Sequence, residues 1–157
     1  MAETRRPLTP AEIALARTVF GNAIDYARVE IRHSKWAFFQ TRHTVMAPMG
    51  HIHFHPESTG YCADFCAESL SRQGLFIHEM VHVWQAQTRG RWFLPLMRWP
   101  LDRYGYTLKP GWPLKRYGLE QQAEIVRHYF LLKQGKAVPN GATLATYQAI
   151  MPAEFAL

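Results

Sequence analysis

Cysteine is scarce in this chain of 157 residues, where Cys62 and Cys66 are the only two. Two thiols cannot build a disulfide framework, and their C-x-x-x-C spacing is not the C-x-x-C of redox motifs and zinc ribbons. The expectation is therefore two reduced, partly buried thiols. Long apolar runs are also missing: nothing approaches the ~18–20 consecutive apolar residues that cross a bilayer. The opening residues, Met1 to Pro7, lead into an amphipathic segment and not a continuous apolar one. That pattern gives the expectation of no Sec-type signal peptide. It gives the expectation of a cytoplasmic protein, with export open to an apparatus that reads no signal. Repeats and low-complexity tracts are absent, which argues against solenoids and arrays. Acidic residues are few, 12 against 18 lysines and arginines, for a net charge of +6. The basic side chains are spread along the chain with no binding motif beside them, so a generic basic surface is expected over dedicated nucleic-acid binding.

What is present is globular in composition, with 48% hydrophobic and 19% charged residues. A chain of this length can bury a real core, and residues 1–157 are read as one domain. Thr9-Pro10-Ala11-Glu12 forms a capping box with proline at the first helical position. Ile13, Ala16, Val19 and Phe20 follow at helical spacing, and Gly21 ends the helix. Residues 28–55 change to alternation and β-prone runs, broken by Pro48-Met49-Gly50, and predict a small, mostly antiparallel sheet. Residues 57–70 predict a loop with a short helical turn. A helix is expected from about Leu70 or Ser71 to Gln87, another from Leu119 to Lys133, and a short terminal one within 142–150. Between them, residues 91–117 hold four prolines, three tryptophans, three tyrosines and six basic side chains, a long irregular insertion. The fold class expected is α+β.

The chemistry concentrates in His78-Glu79-Met80-Val81-His82, an H-E-x-x-H segment with helical character. At 3.6 residues per turn, His78 and His82 project from one helix face and can share one metal ion. Glu79, rotated about 100° from His78, is near enough to take a proton from a metal-activated water. From Leu75 to Trp84 every residue outside this triad is uncharged, so the helix is expected to be buried. Unpaired ionisable groups are costly there, and a metal ion relieves that cost. A hydrolytic zinc site takes three protein ligands and a water. A second predicted helix offers Glu120 and Glu124.

Here the sequence resembles the gluzincins, metallopeptidases in which a glutamate on a second helix completes the zinc site and opens an E-x-x-A-D/N pattern. The local form is Glu120-x-x-Ala123-Glu124, one carbon longer at the last position. The resemblance implies a zincin-like fold, with Zn2+ held by His78, His82 and Glu120, Glu79 as the general base, and Glu124 accepting from a ligand histidine. Glu124 as the third ligand is the alternative. The whole chain is also similar to short proteobacterial proteins catalogued as "vgr-related", through Leu8–Arg17, Gly50–Pro56, Gly74–Glu79 and Glu120–Val126. That likeness implies a link to type VI secretion. A more distant similarity is to the metallopeptidase-like domain of contractile-injection toxins, which places glutamine soon after the second histidine, as Gln85 and Gln87 do here.

Other groups invite readings of their own. His51, His53 and His55 alternate on a predicted strand and so share a face. They form a solvated strand face, a substrate-side edge that pairs with extended peptide, or a second metal site. Tyr104, Tyr106, Tyr117, Arg116, Arg127 and His128 are candidates for stabilising an oxyanion. Trp92, Trp99 and Trp112, interleaved with Arg91, Arg98, Arg103, Lys109, Lys115 and Arg116, read either as a tryptophan-stapled loop with a basic rim or as an aromatic-basic groove.

Three functions compete. The first is a zinc metallopeptidase acting on a peptide or protein, including peptidoglycan cross-links. The second is a catalytically inactive, zinc-stabilised binding or adaptor module of a secretion or phage-like assembly. The third is a basic nucleic-acid binder, which leaves His78, Glu79 and His82 unexplained.

Overall fold

The computed structural model describes residues 4–97 and 104–156. Among them a four-stranded mixed sheet and five α-helices form an α+β arrangement. The first helix, α1 (Pro10–Phe20), starts as its sequence dictates. The Thr9 side chain accepts from the Glu12 amide, and Glu12 returns to the Thr9 amide at 2.9 Å. Glu12 then does more than cap. Fully buried, it also accepts two bonds from Arg6 and one from the Phe65 amide, each at 2.9 Å. Arg6 is carried by a strand the sequence pattern does not announce, β1 (Thr4–Pro7), which pairs antiparallel with β2 (Glu30–His33).

β2 lies parallel to β4 (Ile52–Phe54), and β3 (Val45–Met46) closes the far side antiparallel to β4, giving the order β1-β2-β4-β3. The sheet is thus mixed, with two of its three pairings antiparallel as expected and one parallel, because a long loop after β2 lets the chain return to pair in the same direction. β4 is flanked on both sides, which corrects its reading as a substrate-side edge; the edges are β1 and β3. The histidine face is only partly solvated: His53 is buried, as are Ile52 and Phe54 on the other side, whereas His51 and His55 are half-buried. The cover over His53 is the segment after β2, where Gln40, itself buried, donates to the carbonyls of Thr44 and His53.

Helix α2 (Leu70–Arg89) runs two residues past the expected stop, with the Ser69 side chain at its N-terminus and Gly90 at its end. From Phe76 to Ala86 every one of its residues is buried. It packs most extensively on α4 (Leu119–Lys133), which occupies the residues its periodicity predicts. Gly74 permits the approach: a Cβ there would meet Arg127 and Leu131 of α4 at 3.3–3.5 Å. Among its described residues, the insertion between these helices is irregular except for the short α3 (Phe93–Met97) and a 3-10 turn at Leu114–Arg116. A five-residue helix, α5 (Leu144–Gln148), packs back on α4. No helix of the described residues is long and apolar enough to cross a membrane.

Candidate metal centre

The α2–α4 contact brings His78, His82 and Glu120 together, all three buried, with one donor atom from each within 4.8 Å of the others. The geometry is specific. One carboxylate oxygen of Glu120, Oε2, lies 3.2 Å from Nε2 of His78 and 3.2 Å from Nε2 of His82. Donors held 2.0–2.1 Å from a tetrahedral zinc ion stand about 3.3 Å apart. The spacing therefore suits one small cation in the middle.

The outer ring nitrogens are each engaged. Nδ1 of His78 lies 2.8 Å from Oε1 of Glu124, and Nδ1 of His82 lies 2.9 Å from Oε1 of Gln85. The Gln85 amide cannot be turned around, because its Nε2 donates to the Leu119 carbonyl at 3.2 Å and to Oε1 of Gln122 at 3.0 Å. Gln122 is fixed in turn by donating to the Tyr117 carbonyl at 2.8 Å. Gln85 must accept from His82, which leaves the lone pair of a neutral ring on Nε2, facing Glu120. Two nitrogen lone pairs and a carboxylate oxygen directed at one point repel unless a proton or a metal ion lies between them. Without metal, His78 fills that role. Burial alone would hold its pKa down, but the carboxylates of Glu120, Glu124 and Glu79 outweigh it and push the group up to about 9. The donor set thus fits a divalent cation of the borderline N/O kind.

Glu79 is buried beside His78 on α2. Glu124 sits on the opposite ring nitrogen of His78 from the donor cluster and also meets Arg127 at 3.4 Å. Among the described residues no other group of histidines, cysteines and carboxylates converges in this way. His51 and His55 instead use Nδ1 to accept from the amides of Glu30 and Glu57, at 3.2 and 3.0 Å, and Nδ1 of His53 lies 3.3 Å from the Ser34 carbonyl.

Of the six oxyanion candidates, Tyr104 is the one whose ring lies against the cluster, stacked 6.0 Å from His78 and half-exposed. Tyr106 is committed elsewhere, bonded to His128 and to the Tyr147 hydroxyl, and burial raises its pKa. The Tyr117 hydroxyl accepts from the Lys109 amide at 2.9 Å, and Arg116 lies over Trp112 at 4.6 Å. Lys109 covers Trp112 as well, at 4.2 Å, so that tryptophan is stapled by cations of its own loop. Of the other members of the aromatic-basic groove, Arg91 lies over the exposed Trp92 at 5.3 Å, whereas Trp99, Arg98 and Arg103 lie outside the described residues. Gln122 is the one member of the site that sequence reasoning passed over. The only trace of it is a polar residue on the apolar face of α4, between Glu120 and Glu124.

No family model matches the chain. The solved effector domain of Pseudomonas aeruginosa VgrG2b does: TM-score 0.73, 41% sequence identity, covering 94% of this chain and 84% of that one. The chain belongs to the VgrG2b effector-domain family. It is also 47% identical over 152 residues to the type VI secretion system spike protein VgrG2b of the same organism, a match that covers 88% of this chain. This stretch corresponds to only 14% of the spike protein's length.

Proposed function

We propose that the chain is a zinc-dependent metallohydrolase of the gluzincin kind, a peptidase with a zincin-like fold that serves as a secretion-associated effector. The observation that carries the reading is the convergence of His78 Nε2, His82 Nε2 and a Glu120 oxygen at one buried point, with Glu79 next to the first of them. Three candidate ligands among the described residues also favour catalysis over the zinc-stabilised adaptor, since structural zinc sites usually close with four. The secretion context extends to this chain the role named for its relative, a type VI spike protein with an effector domain.

Zinc, when bound, supplies Lewis acidity that acidifies water and polarises a substrate carbonyl. Glu79 accepts the proton of the attacking water on its carboxylate and delivers it to the leaving amine nitrogen. Glu124 and Gln85 hold the Nδ1 protons of His78 and His82, which keeps both Nε2 atoms free to ligate. Tyr104 is our candidate for donating to the developing oxyanion. The substrate class is a peptide bond, in protein or in peptidoglycan cross-links.

The test is Glu79→Gln beside wild type, both loaded with zinc, on casein and on purified peptidoglycan, with released amines and fragments identified by mass spectrometry. The expected result is unchanged zinc content with turnover lost by at least a hundredfold. Full activity in Glu79→Gln would remove the mechanism, and no cleavage of either substrate by wild type would favour the adaptor.

A further inference from the structure

Burial is inverted in the loop that joins β2 to β3. Its polar member Gln40 is buried, accepting from the Trp36 amide and donating to the Thr44 and His53 carbonyls at 2.8–2.9 Å. Its apolar members face out: Phe38 is 90% exposed and Phe39 59%. The two rings pack edge to face at 5.4 Å, and Phe39 meets Trp36 in the same way at 6.3 Å. The internal glutamine closes the loop, so the aromatic tip is presented and not merely loose. Lys35 and Arg42 flank it, both exposed.

A second exposed apolar group stands nearby. Trp92, Leu96 and Met97 are exposed on and before α3, beside the exposed Arg89 and Arg91. The Trp36 indole donates to the Met49 sulfur at 3.3 Å, and His51, two residues on, is acted on by the charges of Arg32, Glu30, Arg28 and, from the α3 side, Arg91. Charge sets the character of this face. No aspartate or glutamate occurs between Glu30 and Glu57, or between Glu79 and Asp102. Protruding aromatics among cations, with the adjoining Glu30 paired to Arg32 at 2.9 Å, match the boundary of an anionic bilayer, where rings enter among the headgroups and Lys and Arg meet phosphate. A protein partner would be met by a groove or a flat patch more readily than by a wedge of this kind.

We infer that the Trp36–Phe39 tip, together with Trp92, Leu96 and Met97, docks the domain on an anionic phospholipid surface. The inference is independent of the hydrolase reading, because none of these residues belongs to the metal centre.

Sedimentation with vesicles of equimolar phosphatidylglycerol and phosphatidylcholine, against pure phosphatidylcholine, tests it with the full chain. Wild type should partition to the anionic vesicles and lose most binding as salt rises from about 0.1 M to about 1 M. Lys35→Gln with Arg42→Gln should weaken binding about thirtyfold, and Phe38→Ser with Phe39→Ser by on the order of tenfold or more. All four side chains are exposed, so unchanged circular dichroism should accompany both losses. Glu79→Gln should bind as wild type does. Binding that ignores the tip substitutions overturns the inference, as does no binding to anionic vesicles. Self-association that the Phe38→Ser and Phe39→Ser pair abolishes, without vesicle binding, would assign the face to a second copy of the chain and overturn it equally.

Discussion

The side-chain oxygen of Gln85 lies 2.9 Å from Nδ1 of His82, three residues earlier on the same helix, and its amide nitrogen is held by Gln122 and the Leu119 carbonyl of the facing helix. One amide thus couples the ring orientation of a candidate ligand to the α2–α4 contact that brings in Glu120. Partners that fix a ligand histidine typically account for 10–100-fold in metal affinity. Gln85→Ala is expected to weaken zinc binding within that range, measured by competition with a chromophoric chelator. Gln85→Glu keeps the acceptor for the ring but sets its second oxygen against the Leu119 carbonyl and Gln122 Oε1, so it should recover only part of the loss. Equal affinities for wild type and Gln85→Ala would show that the amide does not orient the ring.

Glu120 and Glu124 should separate in a metal assay. Glu120 shares an oxygen with both Nε2 atoms, whereas Glu124 bonds the far side of His78. Elemental analysis should find zinc lost from Glu120→Ala and retained, at weaker affinity, in Glu124→Ala. The reverse pattern would make Glu124 the ligand.

Glu12 is a stability determinant and not merely a helix cap. Its carboxylate is fully buried and receives Arg6, the Thr9 amide and the Phe65 amide, joining β1, α1 and the loop before α2. Breaking a buried pair by removing one partner costs about 3–5 kcal/mol. Glu12→Ala should lower stability by that amount in urea unfolding, and a loss under ~1 kcal/mol would mean that water replaces the carboxylate.

Cys66 should be slow to alkylate. Burial, and then the neighbouring carboxylate of Asp64, push its thiol from the ordinary value up to about 11. At pH 8 the thiolate fraction is then about a hundredfold below that of an ordinary cysteine, and the thiolate is the reactive form. Mass spectrometry after iodoacetamide treatment should show Cys66 protected in the folded protein and labelled in urea. Reaction should speed up about tenfold per pH unit until pH passes the raised value. Rapid labelling at pH 8 in the native state would contradict the assignment.

Local signals in the chain were legible where they are periodic or capped. Thr9 and Glu12 define the start of α1, and Leu119 to Lys133 read as the α4 that forms. The H-E-x-x-H spacing alone places two imidazoles on one face. β1 was not legible, because four residues ending in proline carry no alternation; their pairing is decided by Arg6 reaching Glu12. The histidines around β4 were misread for a related reason. Alternation tells which side chains share a face, but not whether that face is covered, and Gln40 and the loop after β2 cover it at His53.

By itself, the order of residues determined where helices begin, which helix carries the paired histidines and which carboxylates compete to join them, because these depend on backbone spacing within a few turns. Folding in three dimensions decided the rest: that Glu120 and not Glu124 meets both Nε2 atoms, that Gln85 and Gln122 lock a ring, and that aromatic side chains stand outside while a glutamine is buried. Those outcomes turn on the angle and separation of α2 and α4 and on which loop covers which face. Such distances arise from packing between segments remote in sequence, and no local pattern encodes them.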